Sequence, residues 1–150
     1  MRMTELLIFL SCTPVLNEIK LNIWTDSSDS VINGHKWETF ITTQLSLLNK
    51  FEFLFDDSSY VDISSLTGLQ SYIHSFQTPF WLEQKHWYVK CDYIKTLSVV
   101  RLYSLPICTK SFIYCSNSQK ISCSTLETTS SQFEITCRVQ KLKINLNEST

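Results

Sequence analysis

Apolar and polar residues alternate in two segments of the chain that are related by a shift of 32 residues. Segments 15–23 and 47–55 each contain a Leu-Asn pair followed by apolar residues at three alternate positions. Alternation of this length, rich in Ile and Phe, is typical of a half-buried strand. Segment 142–146 alternates in the same way, so we expect a third strand of the series there.

Helical patterns lie before each of the first two strands and after the second. Apolar residues recur at helical spacing in segments 4–12, 35–45 and 66–76, and Pro14 and Pro79 limit the first and the last. One such unit cannot bury its apolar face alone, so neighbouring units must stack. The order of elements predicts an α/β fold: a fragment of a leucine-rich-repeat-like solenoid, with parallel strands and outer helices.

The middle of the chain departs from this order. Segments 87–93 and 100–103 alternate like strands and are separated by too few residues for a crossover helix, which predicts an antiparallel hairpin. The Ser- and Thr-rich segment 116–131 is typical of a long loop. We therefore interpret residues 1–150 as one irregular repeat region, a piece of a longer protein, with an insertion at 84–131.

Composition and charge exclude several classes of function. The chain has 150 residues, 13 basic and 14 acidic, so it carries no electrostatic signal for nucleic acid or an anionic membrane. Its 2 Gly cannot form the glycine-rich loops that bind phosphates. No apolar run approaches the ~18 residues of a membrane span. We expect no cofactor, no nucleic acid or membrane partner, and no small-molecule ligand.

Side chains that could support chemistry are not arranged in a recognisable motif. His35, His74 and His86 lack the spacing of zinc ligands, so no metal site and no catalytic residue is predicted. A Cys–His nucleophilic pair stays open, because such partners meet in space. Five carboxylates in two loops are interpreted as solvated turns rather than a calcium site. They are Asp26, Asp29, Asp56, Asp57 and Asp62.

The six cysteines indicate the compartment. Cys91 and Cys137 fall on the apolar positions of alternating segments, where a free thiol acts as a small hydrophobe. The apolar run 6–10 is too short for a secretory signal. We expect reduced thiols and a cytoplasmic or nuclear protein. The alternative is a disulfide-containing extracellular recognition module, with pairing around Cys108, Cys115 and Cys123.

Four segments resemble a known family. Segments 35–41, 47–53, 76–91 and 101–108 look like a multi-copy invertebrate family of F-box and leucine-rich-repeat-like proteins. The resemblance implies the repeat-like region that follows an F-box, which typically holds substrates for a cullin–RING ubiquitin ligase. The F-box itself docks a Skp-type adaptor, and no F-box is recognisable in this chain. The implied partner is therefore a ubiquitination substrate.

The predicted solenoid suggests where a partner would bind. If the apolar positions of the strands point inward, the intervening residues form the concave face, which solenoids use for extended protein binding. We therefore predict a non-enzymatic protein–protein interaction module. Its candidate partner-binding residues are Lys20, Asn22, Trp24, Glu52, Leu54, Lys90, Asp92, Lys143 and Asn145.

Overall fold

The computed structural model describes residues 2–26, 31–58, 66–105, 111–115, 120–126 and 141–145. Three α-helices and one π-helical turn occur in these ranges, together with seven strands. The helices are α1 (Met3–Ser11), α2 (Gly34–Gln44) and α3 (Leu66–His74), and the π-helical turn is Phe80–Gln84. The strands are β1 (Glu18–Thr25), β2 (Lys50–Asp57), β3 (Val89–Ile94), β4 (Val99–Ser104), β5 (Ser111–Cys115), β6 (Lys120–Ser124) and β7 (Lys141–Asn145).

The strands form one mixed sheet of five and one separate pair. The order in the larger sheet is β1-β2-β4-β3-β6, while β5 and β7 pair in parallel. Only β1 and β2 are parallel in the larger sheet, and its other three pairings are antiparallel. The predicted leucine-rich-repeat-like solenoid of parallel strands is therefore wrong.

The 32-residue shift nevertheless predicts the pairing of β1 and β2. Ile19 lies opposite Phe51 and Ile23 opposite Phe55, so each residue of β1 faces the residue 32 positions later. The connection between the two strands contains α2, which makes β1-α2-β2 a βαβ unit. The repeat thus corresponds to one parallel pair and does not continue as an array.

The order of helix and strand stops after β3, where the connection to the next strand becomes short. Four residues, 95–98, join β3 to β4, and such a turn permits only antiparallel pairing. The predicted hairpin is present, but β4 also pairs with β2, so the hairpin belongs to the sheet. The division of the chain at 84–131 stays a prediction.

Two predictions for the C-terminal third are wrong. Segment 116–131, interpreted as a loop, contains β6, whose Ile121 and Cys123 alternate with polar residues against β3. An edge strand with one polar face has a loop-like composition, which explains the error. Segment 142–146 overlaps β7 but does not continue the series, because β7 pairs with β5. The alternating segment that contains Cys137 lies outside the described residues.

The three α-helices cover one face of the larger sheet. The apolar residues of β1 and β2 that predict the strands point into this core, where aromatic rings pack closely. Trp37 stacks on Phe55 with ring centres 6.0 Å apart, and Phe53 lies 4.6 Å from Phe55. The adjacent residues Phe80 and Trp81 of the π-helical turn are both buried in this core.

A close approach between α2 and the end of α3 holds the helical layer together. The Gly34 amide donates a hydrogen bond of 2.8 Å to the Ser75 hydroxyl, and a methyl group at Gly34 would overlap the Ser75 carbonyl. The buried Trp37 indole donates to the Val31 carbonyl at 2.9 Å. A residue larger than glycine therefore does not fit at position 34 unless the backbone at Ser75 moves.

Candidate functional site

The face of the larger sheet that points away from the α-helices carries most of the predicted binding residues. We call it the outer face. Side chains alternate between the two faces of a strand, so its members are the residues between the core-facing ones. They are Lys20, Asn22 and Trp24 of β1, Glu52, Leu54 and Asp56 of β2, Arg101 and Tyr103 of β4, and Lys90 and Asp92 of β3.

Strand pairing brings seven of the nine predicted residues onto this face. Lys20, Asn22 and Trp24 are exposed on β1, while Glu52 and Lys90 are half-buried. Leu54 and Asp92 are only 6% and 1% exposed, so neither offers a surface to a partner. Their inclusion in the binding surface is therefore corrected.

The last two predicted residues belong to a different sheet. Lys143 and Asn145 are part of β7, which pairs with β5 outside the five-stranded sheet. The prediction that they extend the surface of β1 and β2 followed from the solenoid, in which all parallel strands share one sheet. Their side chains lie outside the described part of the structure.

Four alternating charges form a square at one end of β1 and β2. The Lys50 ammonium lies 3.1 Å from carboxylate oxygens of both Glu18 and Glu52, and the Lys20 ammonium lies 3.2 Å from Glu52. The hydrogen bond from Lys50 lowers the pKa of Glu18, and the same bond raises the pKa of Lys50. The square has no net charge, so it exerts little long-range electrostatic attraction on another charged molecule.

An ion pair joins β2 and β4 at the centre of the outer face. The Nε and Nη2 atoms of Arg101 donate to the two carboxylate oxygens of Asp56, at 2.6 and 2.7 Å. This bidentate bond raises the pKa of Arg101. Beside it, the Tyr103 hydroxyl donates to Asp92 at 3.0 Å, and both of these side chains are buried. The network makes the centre of the face rigid.

This network was not predicted from the sequence. Asp56 was assigned to a solvated turn, whereas it lies within β2 opposite Arg101. The alternation of segment 100–103 does place Arg101 and Tyr103 on one face, because they are two residues apart. The partners of Arg101 and Tyr103 follow from the pairing of β4 with its neighbouring strands. The alternation of a single segment does not predict this pairing.

Trp24 is the most unusual side chain of the outer face. It is 70% exposed, although tryptophan is a large apolar residue that proteins usually bury on average. Trp24 lies opposite Asp56 in the strand register and next to Asn22 and Lys20 along β1. An exposed indole beside polar groups on a regular strand is a composition typical of protein interfaces.

Groups suited to catalysis or metal binding are not brought together in the described ranges. All three histidines are exposed: His35 lies on α2, His74 on α3 and His86 in the connection before β3. Within the part of the chain that the structure covers, no three His, Cys, Asp or Glu side chains are placed to hold a metal ion. Of the acidic loops, Asp26 is exposed and Asp57 is buried at the end of β2, while Asp29 and Asp62 lie outside the described residues.

The structure describes the side chains of three of the six cysteines. Cys12, Cys91 and Cys123 are free thiols, and Cys123 lies opposite Cys91 on the neighbouring strand. Cys108 and Cys137 lie outside the described residues, as does the side chain of Cys115. Extracellular pairing of the predicted cluster therefore stays a prediction.

No protein-family model, curated protein or solved structure matches this chain. The resemblance to F-box and leucine-rich-repeat-like proteins consequently stays a prediction. None of the helices in the described ranges has both the length and the apolar character needed to cross a membrane.

Proposed function

We propose that this protein is a non-enzymatic protein-binding module that engages its partner through the β1 end of the outer face. The observation that carries the proposal is the exposure of Trp24, 70% of whose surface is accessible. Covering an indole on binding removes a large apolar area from water, and tryptophan is among the residues that dominate binding energy in interfaces.

The surroundings of Trp24 support this role. Lys20 and Asn22 supply exposed polar groups along the same strand, in the way that a polar rim surrounds an interface anchor. The Asp56–Arg101 pair keeps the neighbouring strands fixed, so Trp24 is presented on a regular, hydrogen-bonded platform. Less conformational freedom is then lost when a partner binds.

The chemistry of the face suggests the kind of partner. The square of Glu18, Lys20, Lys50 and Glu52 presents both signs of charge within one patch, which suits a protein surface with alternating charges. A partner would also need an apolar pocket for the indole. Following the resemblance to F-box proteins, we propose that it is a ubiquitination substrate bound in the cytoplasm or nucleus.

Photo-crosslinking tests the location of the interface. A photoreactive amino acid replacing Asn22 should give discrete crosslinked products in cells. Adding Trp24→Ala should weaken binding, and so reduce these products, by about thirtyfold, since loss of an interface anchor costs about 2 kcal/mol. The matched control carries the photoreactive residue at Gln70, an exposed position of α3. Equal crosslinking from both positions, or no effect of Trp24→Ala, would refute the proposal.

A separate experiment tests our assignment of this chain to the region that follows an F-box. This chain alone is not expected to bind a Skp-type adaptor, because no F-box is recognisable in its sequence. A pull-down of purified chain with purified adaptor measures this directly, with a known F-box protein as the positive control. Stoichiometric binding by the chain would show that our assignment of its region is wrong.

A further inference from the structure

Cys91 and Cys123 face each other across two neighbouring strands. Cys91 lies at the middle of β3 and is paired directly with Cys123 of β6 in the antiparallel register. Directly opposed residues in such a pair have Cα atoms about 4.5–5.5 Å apart. Disulfides join residues whose Cα atoms are about 4.4–6.8 Å apart, so the backbone already has the separation that a disulfide needs.

The two thiols also interact in the reduced protein. The Cys91 thiol donates a hydrogen bond to the sulfur of Cys123, which raises the pKa of Cys91 and lowers the pKa of Cys123. The two side chains are therefore near neighbours on the same face of the sheet, as the strand register requires. Cys91 is fully buried, whereas Cys123 is only half-buried and packs at the margin of the core.

We propose that Cys91 and Cys123 are a site of reversible oxidation, at which a low-molecular-weight disulfide such as oxidised glutathione converts the two thiols into a cross-strand disulfide. In this exchange one glutathione disulfide reacts with two protein thiols and gives one protein disulfide and two glutathione thiols. Two electrons pass from the cysteine pair to glutathione. The site lies on the helix-covered face, so this proposal is independent of the outer face.

The difference between the two cysteines sets the order of the steps. Cys123 is the less buried thiol and the one favoured as thiolate, so it attacks the glutathione disulfide and expels one glutathione thiolate. Cys91 then attacks the Cys123 sulfur, and its proton leaves with the second glutathione. The reverse attack by reduced glutathione restores both thiols.

The disulfide would connect the edge of the sheet to its interior. β6 is held to the five-stranded sheet by its pairing with β3, and α3 packs on both strands. Because the register is already correct, the link fixes β6 in its native position without moving either strand. The oxidised protein should therefore retain the fold of the reduced one.

Peptide mapping after treatment with oxidised glutathione tests the site. The folded chain should lose two of its six alkylatable thiols and become lighter by two hydrogen atoms. Digestion after Lys and Glu separates Cys123 from Cys137, because Glu127 lies between them. The expected product is segment 91–95 linked to segment 121–127, and reduced glutathione should reverse it.

Variants distinguish this pair from the other cysteines. Cys123→Ser should abolish the intramolecular disulfide, whereas Cys12→Ser, at an exposed position, should leave its yield unchanged. Oxidation of the chain in urea is the folding control and should scatter the linkages. A predominant disulfide between other cysteines in the folded chain, or Cys91 and Cys123 that both stay alkylatable after oxidation, would overturn the proposal.

Discussion

The Asp56–Arg101 pair should stabilise the sheet more than the exposed ion pairs beside it. Both partners keep less than a fifth of their side-chain surface exposed, at 18% and 16%, and the bond is bidentate. Exposed pairs contribute about 0.2–1 kcal/mol, and breaking a fully buried pair costs about 3–5 kcal/mol. We expect a coupling free energy between these limits, about 1.5 kcal/mol.

A double-mutant cycle measures this coupling. The free energy of unfolding is determined by urea denaturation, followed by tryptophan fluorescence, for the wild type, Asp56→Asn, Arg101→Gln and the double variant. The matched control is the cycle of Lys50→Gln and Glu18→Gln, an ion pair of 3.1 Å whose side chains are 50% and 47% exposed. In 1 M salt the control coupling should vanish while that of Asp56–Arg101 largely persists.

One result would refute the reasoning. If the Asp56–Arg101 coupling fell below about 0.5 kcal/mol and disappeared in salt, the pair would behave as an ordinary surface pair. The rigid centre that we assign to the outer face would then have another origin. Loss of Arg101 would also leave the partner-dependent crosslinks at Asn22 unchanged in that case.

Three further predictions follow from single contacts. Gly34→Ala should destabilise the fold by about 1–3 kcal/mol, because its methyl group would overlap the Ser75 carbonyl; an unchanged urea midpoint would contradict this. The Glu18 carboxyl should titrate below 4.5 by NMR, and Lys50→Ala should raise its pKa. Since that pKa is lower when folded, its contribution is present above the unfolded pKa and is lost as the pH falls through the folded one. Closing the Cys91–Cys123 loop should stabilise the fold by about 3–4 kcal/mol, measured by comparing urea midpoints of the oxidised and reduced protein.

Local patterns predicted the elements better than their partners. Helical spacing located α1, α2 and α3, and the shift of 32 residues matches the register of β1 and β2. Alternation identifies a strand because it reflects one buried face, but it carries no information on which strand lies next to it. The pairing of β2 with β4 was therefore missed, and with it the mixed sheet.

The binding residues show the same limit. The alternation of side chains along a strand correctly places Lys20, Asn22 and Trp24 on one face of β1, because this alternation depends only on the strand itself. Burial depends on what neighbouring strands supply. Leu54 is buried beside Tyr103, and Asp92 accepts a hydrogen bond from the hydroxyl of the same tyrosine. Leu54 and Asp92 are therefore removed from the accessible surface.

The order of the strands has a consequence for the way the chain acquires its structure. The ribosome has completed β1, α2 and β2 once residue 57 is synthesised. The antiparallel neighbour of β2 is β4, in which Tyr103, the partner of Leu54, follows nearly fifty positions later. At about 5–20 residues per second, the interval lasts for a few seconds. During that time one edge of β2 and its three phenylalanines are without their later neighbours, so the nascent N-terminal half should be the stage most prone to aggregation.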